Sequence, residues 1–283
     1  MYSKDKILEI IKNISEEAAT IQPYVIICQP RRNSDDLPAQ NIKGEIGLHI
    51  DILGYSHSYV EIIGEKVDVA RNYLIEQALN SGAEYLLFIG DDTVMPYDGF
   101  SKLLKTVKEN PKSCAVGVYY IKNSSPMIMV RDNNRIYPAD VSQGKTFEVW
   151  QAGMDAMLIP MELLREMKDK EPDVPFTCIY WAQDGVQKPD GINVTFVGED
   201  NFFYYRARKY GWKVLCNTDV QCLHMDVATG KYTASDGVNL DEYYTNIPLT
   251  ERLTLKDKKF IDKRWVDTLP EGSFNKEGKV GIG

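Results

Sequence analysis

Short, uninterrupted apolar runs alternate along this chain with longer stretches in which apolar side chains return every three or four positions. Runs bounded by turn residues predict buried strands, and the helical spacing predicts helices with one face on a core. Ile7, Ile11, Ile14 and Ala18 follow the helical spacing among lysines and glutamates, so residues 4–18 are expected as an amphipathic helix against the body. Its polar face is mixed in sign and lacks anchoring aromatics, unlike a membrane-surface helix. Tyr24–Cys28 reads as a buried strand ending at Gln29-Pro30-Arg31-Arg32, and the polar stretch to Gly44 as a loop. Glu45–Leu53 alternates and is expected as a second strand. Val67, Ala70, Leu74 and Ala78 form one stripe of a helix over 66–80, stopped at Ser81-Gly82, where glycine permits a left-handed cap.

Tyr85-Leu86-Leu87-Phe88-Ile89 is predicted as a strand buried on both faces, broken at once by Gly90, Asp91 and Asp92. A helix runs from after Pro96 to Asn110-Pro111, and Cys114–Ile121 is the next strand. Residues 122–150 read as short extended pieces, with a turn at Asn133-Asn134 and a strand into Trp150. Met154–Ile159 is apolar, Pro160–Met167 reads as a short helix, and 171–195 as an irregular loop region. Gly198-Glu199-Asp200 opens a helix through Tyr210-Gly211, followed by strands at Lys213–Cys216 and Val220–Leu223. This alternation predicts an α/β fold with a mainly parallel central sheet flanked by helices. The expected divisions are an N-terminal amphipathic helix over 1–22, a main domain over 23–245 and a charged tail over 246–283.

Composition narrows the class. A chain of 283 residues, 43% hydrophobic and 26% charged, is ordinary for a globular protein with one sizeable core. No apolar stretch approaches the roughly 20 residues of a membrane span. The first residues, Met1 to Lys6, lead into a helical pattern rather than a signal core. Five scattered cysteines, an odd number, fit reduced thiols and a cytoplasmic setting. Cys216, Cys222 and His224 match no common zinc spacing. A net charge of −8 argues against a surface that neutralises many phosphates. The basic-leaning segment Lys256, Lys258, Lys259, Lys263 and Arg264 is interleaved with Asp257 and Asp262, as on a solvated helix face.

Asp91 and Asp92 stand at the carboxyl end of a central strand, the edge where α/β sheets bind ligands. Adjacent carboxylates repel unless a positive charge joins them, and a divalent cation carrying a phosphorylated ligand is the natural partner. Taken singly, the acid pair also reads as a solvated loop, Glu199-Asp200 as ordinary helix-start acids, and His224 as a satisfied surface or core histidine. It is their succession in one α/β chain that points to chemistry.

In that succession the sequence resembles the GT-A glycosyltransferases, especially the family 2-like nucleotide-sugar transferases. The resemblance runs over about residues 24–226. It is carried by Ala70-Arg71-Asn72, Gly82 to Thr93 with Pro96, Gly117-Val118-Tyr119-Tyr120 with Pro126, and Gly153 with Leu158-Ile159. Gly198-Glu199-Asp200, Arg206-Ala207, Gly211-Trp212-Lys213, Asp219-Val220 and His224 complete it. It implies a GT-A-type, Rossmann-like sheet with a small antiparallel acceptor-side subregion. It also implies a metal-dependent, inverting, hexosyltransferase-like enzyme that uses Mn²⁺ or Mg²⁺ and a nucleotide-sugar, a UDP-sugar first. The family's Asp-x-Asp motif falls on Gly90-Asp91-Asp92, so Asp92 is the expected metal ligand, with Asp91 and His224 beside it. Gly90 replaces the motif's first aspartate, which leaves two readings: Asp91 takes over its ribose or metal contact, or the site is weakened. Asp200 matches the catalytic base, with Glu199 and then Asp155 as alternatives. Gln29, Pro30, Arg71 and Gly153 are candidates for the donor pocket, and Trp150 and Trp181 for ring stacking or core packing.

The acceptor is left open among a glycan, a protein, a lipid and a modified nucleobase, the last as in a virus-encoded transferase acting on DNA bases. A nucleotidyltransferase is the rival enzyme, and Gln29-Pro30-Arg31-Arg32-Asn33, without glycine, counts against its phosphate loop. A degenerate sugar-nucleotide-binding protein is the non-enzymatic rival, motivated by Gly90.

Overall fold

The computed structural model describes residues 24–32, 46–96, 98–121, 125–132, 135–187, 193–226 and 231–233. The helix expected over 4–18, the loop over 33–44 and the tail over 246–283 with its basic segment lie outside the described residues. From the first described residues the order is β1 (Val25–Arg31), a helical segment over 46–52, β2 (His57–Ile63), α1 (Val67–Ser81), β3 (Tyr85–Ile89), β4 (Thr93–Val94) and α2 (Gly99–Glu109). Next come β5 (Ser113–Val118), β6 (Tyr120–Ile121), β7 (Ser125–Pro126), β8 (Ile128–Asp132), β9 (Arg135–Pro138), β10 (Thr146–Glu148), β11 (Gln151–Ala152) and β12 (Ala156–Pro160). The remainder is α3 (Met161–Lys170), β13 (Tyr180–Gln187), β14 (Asn193–Val197), α4 (Glu199–Lys209), β15 (Lys213–Gln221), β16 (Leu223–Asp226) and β17 (Lys231–Thr233).

The central sheet has the strand order β10-β15-β5-β12-β3-β1-β2. β1, β2, β3, β5 and β15 run one way and β12 and β10 run against them, so the sheet is mainly parallel. Its inner strands β3, β5 and β12 are almost wholly apolar because both of their faces are covered. Ile26, Leu86, Phe88, Val116 and Met157 face one layer, with Leu74 and Ile75 of α1, Leu163 and Leu164 of α3, and Phe203 of α4. Val25, Ile27, Leu87, Ile89 and Leu158 face the other, with Phe100 and Leu103 of α2 and Ile46 and Ile50. Small antiparallel sheets, β11-β8-β9 and β17-β16-β4, and the hairpin β13-β14 lie beside this frame.

Three local expectations are corrected. Residues 46–52 are helical, not extended. Ile46, His49 and Ile50 are buried at helical spacing while Ile52 is exposed, so the period of 3.6 wins over the alternation that Leu48 and Ile52 also permit. The loop expected over 171–195 contains most of the β13–β14 hairpin. The two strands expected over 213–223 are one strand, β15, irregular between Cys216 and Gln221, followed directly by β16.

α1 forms where the stripe of Ala70, Leu74 and Ala78 predicts it and stops at Gly82, whose φ of 75° suits glycine. One residue on its buried face is a charge, Arg71. Among the described residues no helix is long and apolar enough to cross a membrane. The cysteines are free, and burial pushes the thiols of Cys28, Cys114, Cys216 and Cys222 up, so they remain protonated.

Leu74 is fully buried where α1 meets the sheet. Leu74→Ala should lower the free energy of unfolding by about 2–5 kcal/mol in urea titration. A loss below about 1 kcal/mol would contradict this packing.

Candidate active site

The carboxyl ends of β1 and β3 share one edge of the sheet. β12 runs against β3, with Ala156 opposite Ile89, so the residue that precedes β12 arrives at the same edge. The Gly90 N–H donates to the Asp155 carbonyl at 2.9 Å, which fixes Asp155 beside the acid loop. The β1 end is stitched to that loop as well. Gln29 Nε2 donates to the Gly90 carbonyl at 3.2 Å, Tyr59 Oη donates to Gln29 Oε1 at 2.5 Å, and the Arg32 N–H donates to Asp91 Oδ2 at 2.8 Å.

Asp91 and Asp92 are both buried, each about 5% exposed. The Arg32 guanidinium, itself largely exposed, lies 2.5 Å from Asp92 Oδ2 and 3.8 Å from Asp91 Oδ1. His224 reaches the same carboxylate because β16 pairs with β4 and sets His224 opposite Thr93. Its Nδ1–H donates to the Tyr120 carbonyl at 2.9 Å, and Nε2 faces Asp92 Oδ2 at 3.3 Å. Burial opposes ionisation of Asp92, but His224 and Arg32 outweigh it and hold the carboxyl below its ordinary value. Burial likewise works against a charged His224, and Asp92 overcomes it, raising the imidazole. Asp91 goes the other way: burial raises it, the Arg32 N–H resists, and the Asp92 charge adds to the rise. The two neighbouring acids are thus driven apart in proton affinity.

A second charge centre is built around Arg71. This side chain is 3% exposed, and its two terminal nitrogens lie 2.8 Å from Asp155 Oδ1 and 2.8 Å from Glu199 Oε1. Glu199 opens α4 and spends its charge on that pair. The next residue, Asp200, has no such partner among the described residues, where its Oδ1 accepts the N–H of Asn201 at 2.7 Å. Burial, reinforced by the Glu199 charge and resisted by Arg71, raises the Asp200 carboxyl to about 7. A carboxyl that gives up its proton near neutral pH is suited to general-base work.

Asp91, Asp92, His224, Asp155, Glu199 and Asp200 therefore belong to one sheet edge. Arg71 and Gln29 serve it from within, as buried supports. Pro30 is half-buried at the end of β1. Gly153 is there for close packing: a β-carbon on it would stand 1.3 Å from Tyr119 Oη, and its carbonyl accepts from Tyr204 Oη at 2.9 Å. The Trp150 ring carries the guanidinium groups of Arg131 at 4.4 Å and Arg208 at 4.0 Å, so it packs against cations and is not open for a sugar. The Trp181 side chain lies outside the described residues. Arg32 and Thr93 are the site residues that the sequence pattern did not single out. Arg32 follows the β1 end and so had a positional signal, whereas Thr93 gains its place only through the β4–β16 pairing.

Among the described residues no three His, Cys, Asp or Glu side chains converge as a ready-made metal cage. The pair Asp92–His224 nevertheless fits a cation's donor set. Its imidazole is oriented by a carbonyl on the far nitrogen, the usual support of a ligating histidine, and its Nε2 faces a carboxylate. Nearby, Thr93 Oγ1 is buried without a hydrogen-bond partner among the described residues.

No protein-family model matches the chain, and no curated protein matches it significantly. Among solved structures it is similar to A197 from STIV, with a TM-score of 0.52 and 17% identity, covering 76% of this chain and 91% of that one. GalNAc-T7 with UDP, GalNAc and Mn²⁺ gives a TM-score of 0.42 at 10% identity, over 73% of this chain and 44% of that one. A glycosyltransferase involved in the glycosylation of the major capsid of PBCV-1 gives 0.32 at 14% identity, over 53% and 69%. The likeness to A197, together with the mainly parallel seven-stranded sheet, makes the fold GT-A-like.

Breaking a buried ion pair by removing one partner leaves an uncompensated charge and typically destabilises by about 3–5 kcal/mol. Asp155 and Glu199 are partly open to water, so Arg71→Met should fall near the lower end, about 3 kcal/mol, in chemical denaturation. Stability equal to wild type would remove Arg71 from its place as the support of this edge.

Proposed function

We propose that the chain is a metal-dependent, inverting glycosyltransferase that moves a sugar from a nucleotide-sugar, a UDP-sugar first, to an acceptor hydroxyl. The observation that carries this reading is the Asp92–His224 contact of 3.3 Å on the same sheet edge as Asp200, whose carboxyl is raised to about 7. Five carboxylates, Asp91, Asp92, Asp155, Glu199 and Asp200, gather there against the two guanidinium groups of Arg32 and Arg71. That excess of negative charge favours a divalent cation.

Asp92 and His224 Nε2 would hold Mn²⁺ or Mg²⁺, with Asp91 beside them. When bound, the cation supplies Lewis-acid stabilisation of the diphosphate leaving group and orients it. Arg32 neutralises Asp91 and Asp92 within the chain itself and adds positive charge at the mouth of the site. Asp200 accepts the proton of the acceptor hydroxyl as that oxygen attacks the anomeric carbon. Glu199 is unsuited to that task because Arg71 holds its charge. Asp200 acting on the face opposite the leaving group gives inversion by direct displacement. The site lies on the sheet edge that binds ligands in open α/β folds, which supports the same reading.

Asp92→Ala should abolish metal-dependent binding of the nucleotide in isothermal titration, and affinity equal to wild type with Mn²⁺ present would sink the metal assignment. Asp200→Asn should bind the donor within about twofold of wild type while transfer or donor hydrolysis falls by a factor of 10²–10⁴, on the order expected for a lost general base. The base works only when ionised, so wild-type turnover should rise as pH increases through about 7. A rate flat from pH 5 to 9, or full turnover by Asp200→Asn, would place the base elsewhere.

A further inference from the structure

Gly90 interrupts a row of acids, and the space where its side chain would lie is already filled. A β-carbon built on Gly90 would stand 2.9 Å from both Cβ and Cγ of Asp155 and 3.0 Å from Thr93 Oγ1. Glycine is therefore required at 90 so that a carboxylate from the residue just before the neighbouring antiparallel strand can enter. One oxygen of that carboxylate, Oδ1, is held by Arg71 at 2.8 Å. Its other oxygen has no bonded partner among the described residues, and the side chain is 22% exposed. The Thr93 hydroxyl beside it is fully buried and has no partner either. A buried hydroxyl left unpaired in the free protein calls for a group that arrives later.

The chemistry of that group follows from the charges. The Asp155 carboxylate is balanced by Arg71, which lessens its pull on a second cation, and no three-acid cage forms around it among the described residues. What it offers is a fixed acceptor oxygen next to an unused hydroxyl, and that combination complements the hydroxyl groups of a sugar ring. We infer that Asp155, admitted by Gly90, binds vicinal hydroxyls of the nucleotide-sugar through its open oxygen. The hydroxyls belong to the ribose or to the transferred sugar. This inference rests on the donor reading above and assigns a carboxylate that the Gly90-Asp91-Asp92 stretch itself lacks.

Asp155→Asn keeps the shape and an oxygen for Arg71 but turns the open acceptor into a donor. Thr93→Val removes a hydroxyl that makes no bond in the free protein, so its folding stability should equal or exceed wild type. Isothermal titration with Mn²⁺ present would compare both variants and wild type on UDP, 2′-deoxy-UDP, 3′-deoxy-UDP, UDP-glucose, UDP-galactose and UDP-N-acetylglucosamine. If the ribose is held, each variant should bind UDP roughly tenfold more weakly, the size of one lost hydrogen bond to a charged group. Each deoxy analogue should then bind wild type more weakly than UDP does and narrow the gap between wild type and the variants. If the transferred sugar is held, UDP should be unaffected and the advantage of a UDP-sugar over UDP should vanish in the variants. Variants that bind every one of these ligands as wild type does, while Asp92→Ala loses them, would overturn this inference and leave the donor reading standing. Wild-type protein that binds none of them would overturn both.

Discussion

The guanidinium of Arg71 is the constraint on which the rest of the site depends. Burying a charge is tolerable only when it is paired and hydrogen-bonded. Here the pairing ties together three elements that are far apart in sequence, because Arg71 comes from α1, Asp155 from the entry to β12 and Glu199 from the first turn of α4. The ion pairs thus do more than balance charge. They set the register between a helix on one face of the sheet and the edge where the sheet's acids collect. They also divide those acids: Glu199 and one oxygen of Asp155 are committed to Arg71, while Asp200 and the other oxygen of Asp155 have no cationic partner in contact among the described residues.

The second centre, around Asp92, is open by comparison. Arg32 is a largely exposed side chain, whereas His224 is fixed through its hydrogen bond to the Tyr120 carbonyl. Under the proposed function, a carboxylate held ionised, an oriented imidazole and an exposed guanidinium are where a cation and an anionic ligand would exchange with the chain's own counter-charge. Asp200 sits on the other side of this division, protonated or not according to a pH near 7. The proposed function assigns both halves of a displacement to this one edge: charge to receive a leaving group and a base to activate an incoming hydroxyl.

Much of the frame was legible because its residues follow a single period. Tyr85–Ile89 has no polar position and could only be a covered strand, and the Ala70, Leu74 and Ala78 stripe fits a helix alone. Glu45–Leu53 misled because it satisfies both periods, and burial of Ile46 and Ile50 against α2 decides between them only in three dimensions. Of the candidate site, the positions of Asp92, His224 and Asp200 at element ends were readable, and the structure brings them to one sheet edge. The place of Asp155 was not, since it depends on β12 running against β3 and so delivering the residue before it to the far edge of its neighbour. Gly90 looked like a loss in the acid motif for the same reason. The space that receives Asp155 is a property of strand pairing, which no local pattern encodes.

Thermal stability is the most direct test of a metal-linked nucleotide site at this edge. The protein would be melted with UDP, GDP, CDP and ADP, each with and without Mn²⁺. A ligand held at about 100 times its dissociation constant adds roughly 2.7 kcal/mol of stability. The predicted result is an upward shift with one nucleotide that depends on Mn²⁺ and is absent in Asp92→Ala. Melting temperatures that no nucleotide moves, with or without the metal, would contradict the account while leaving the fold intact.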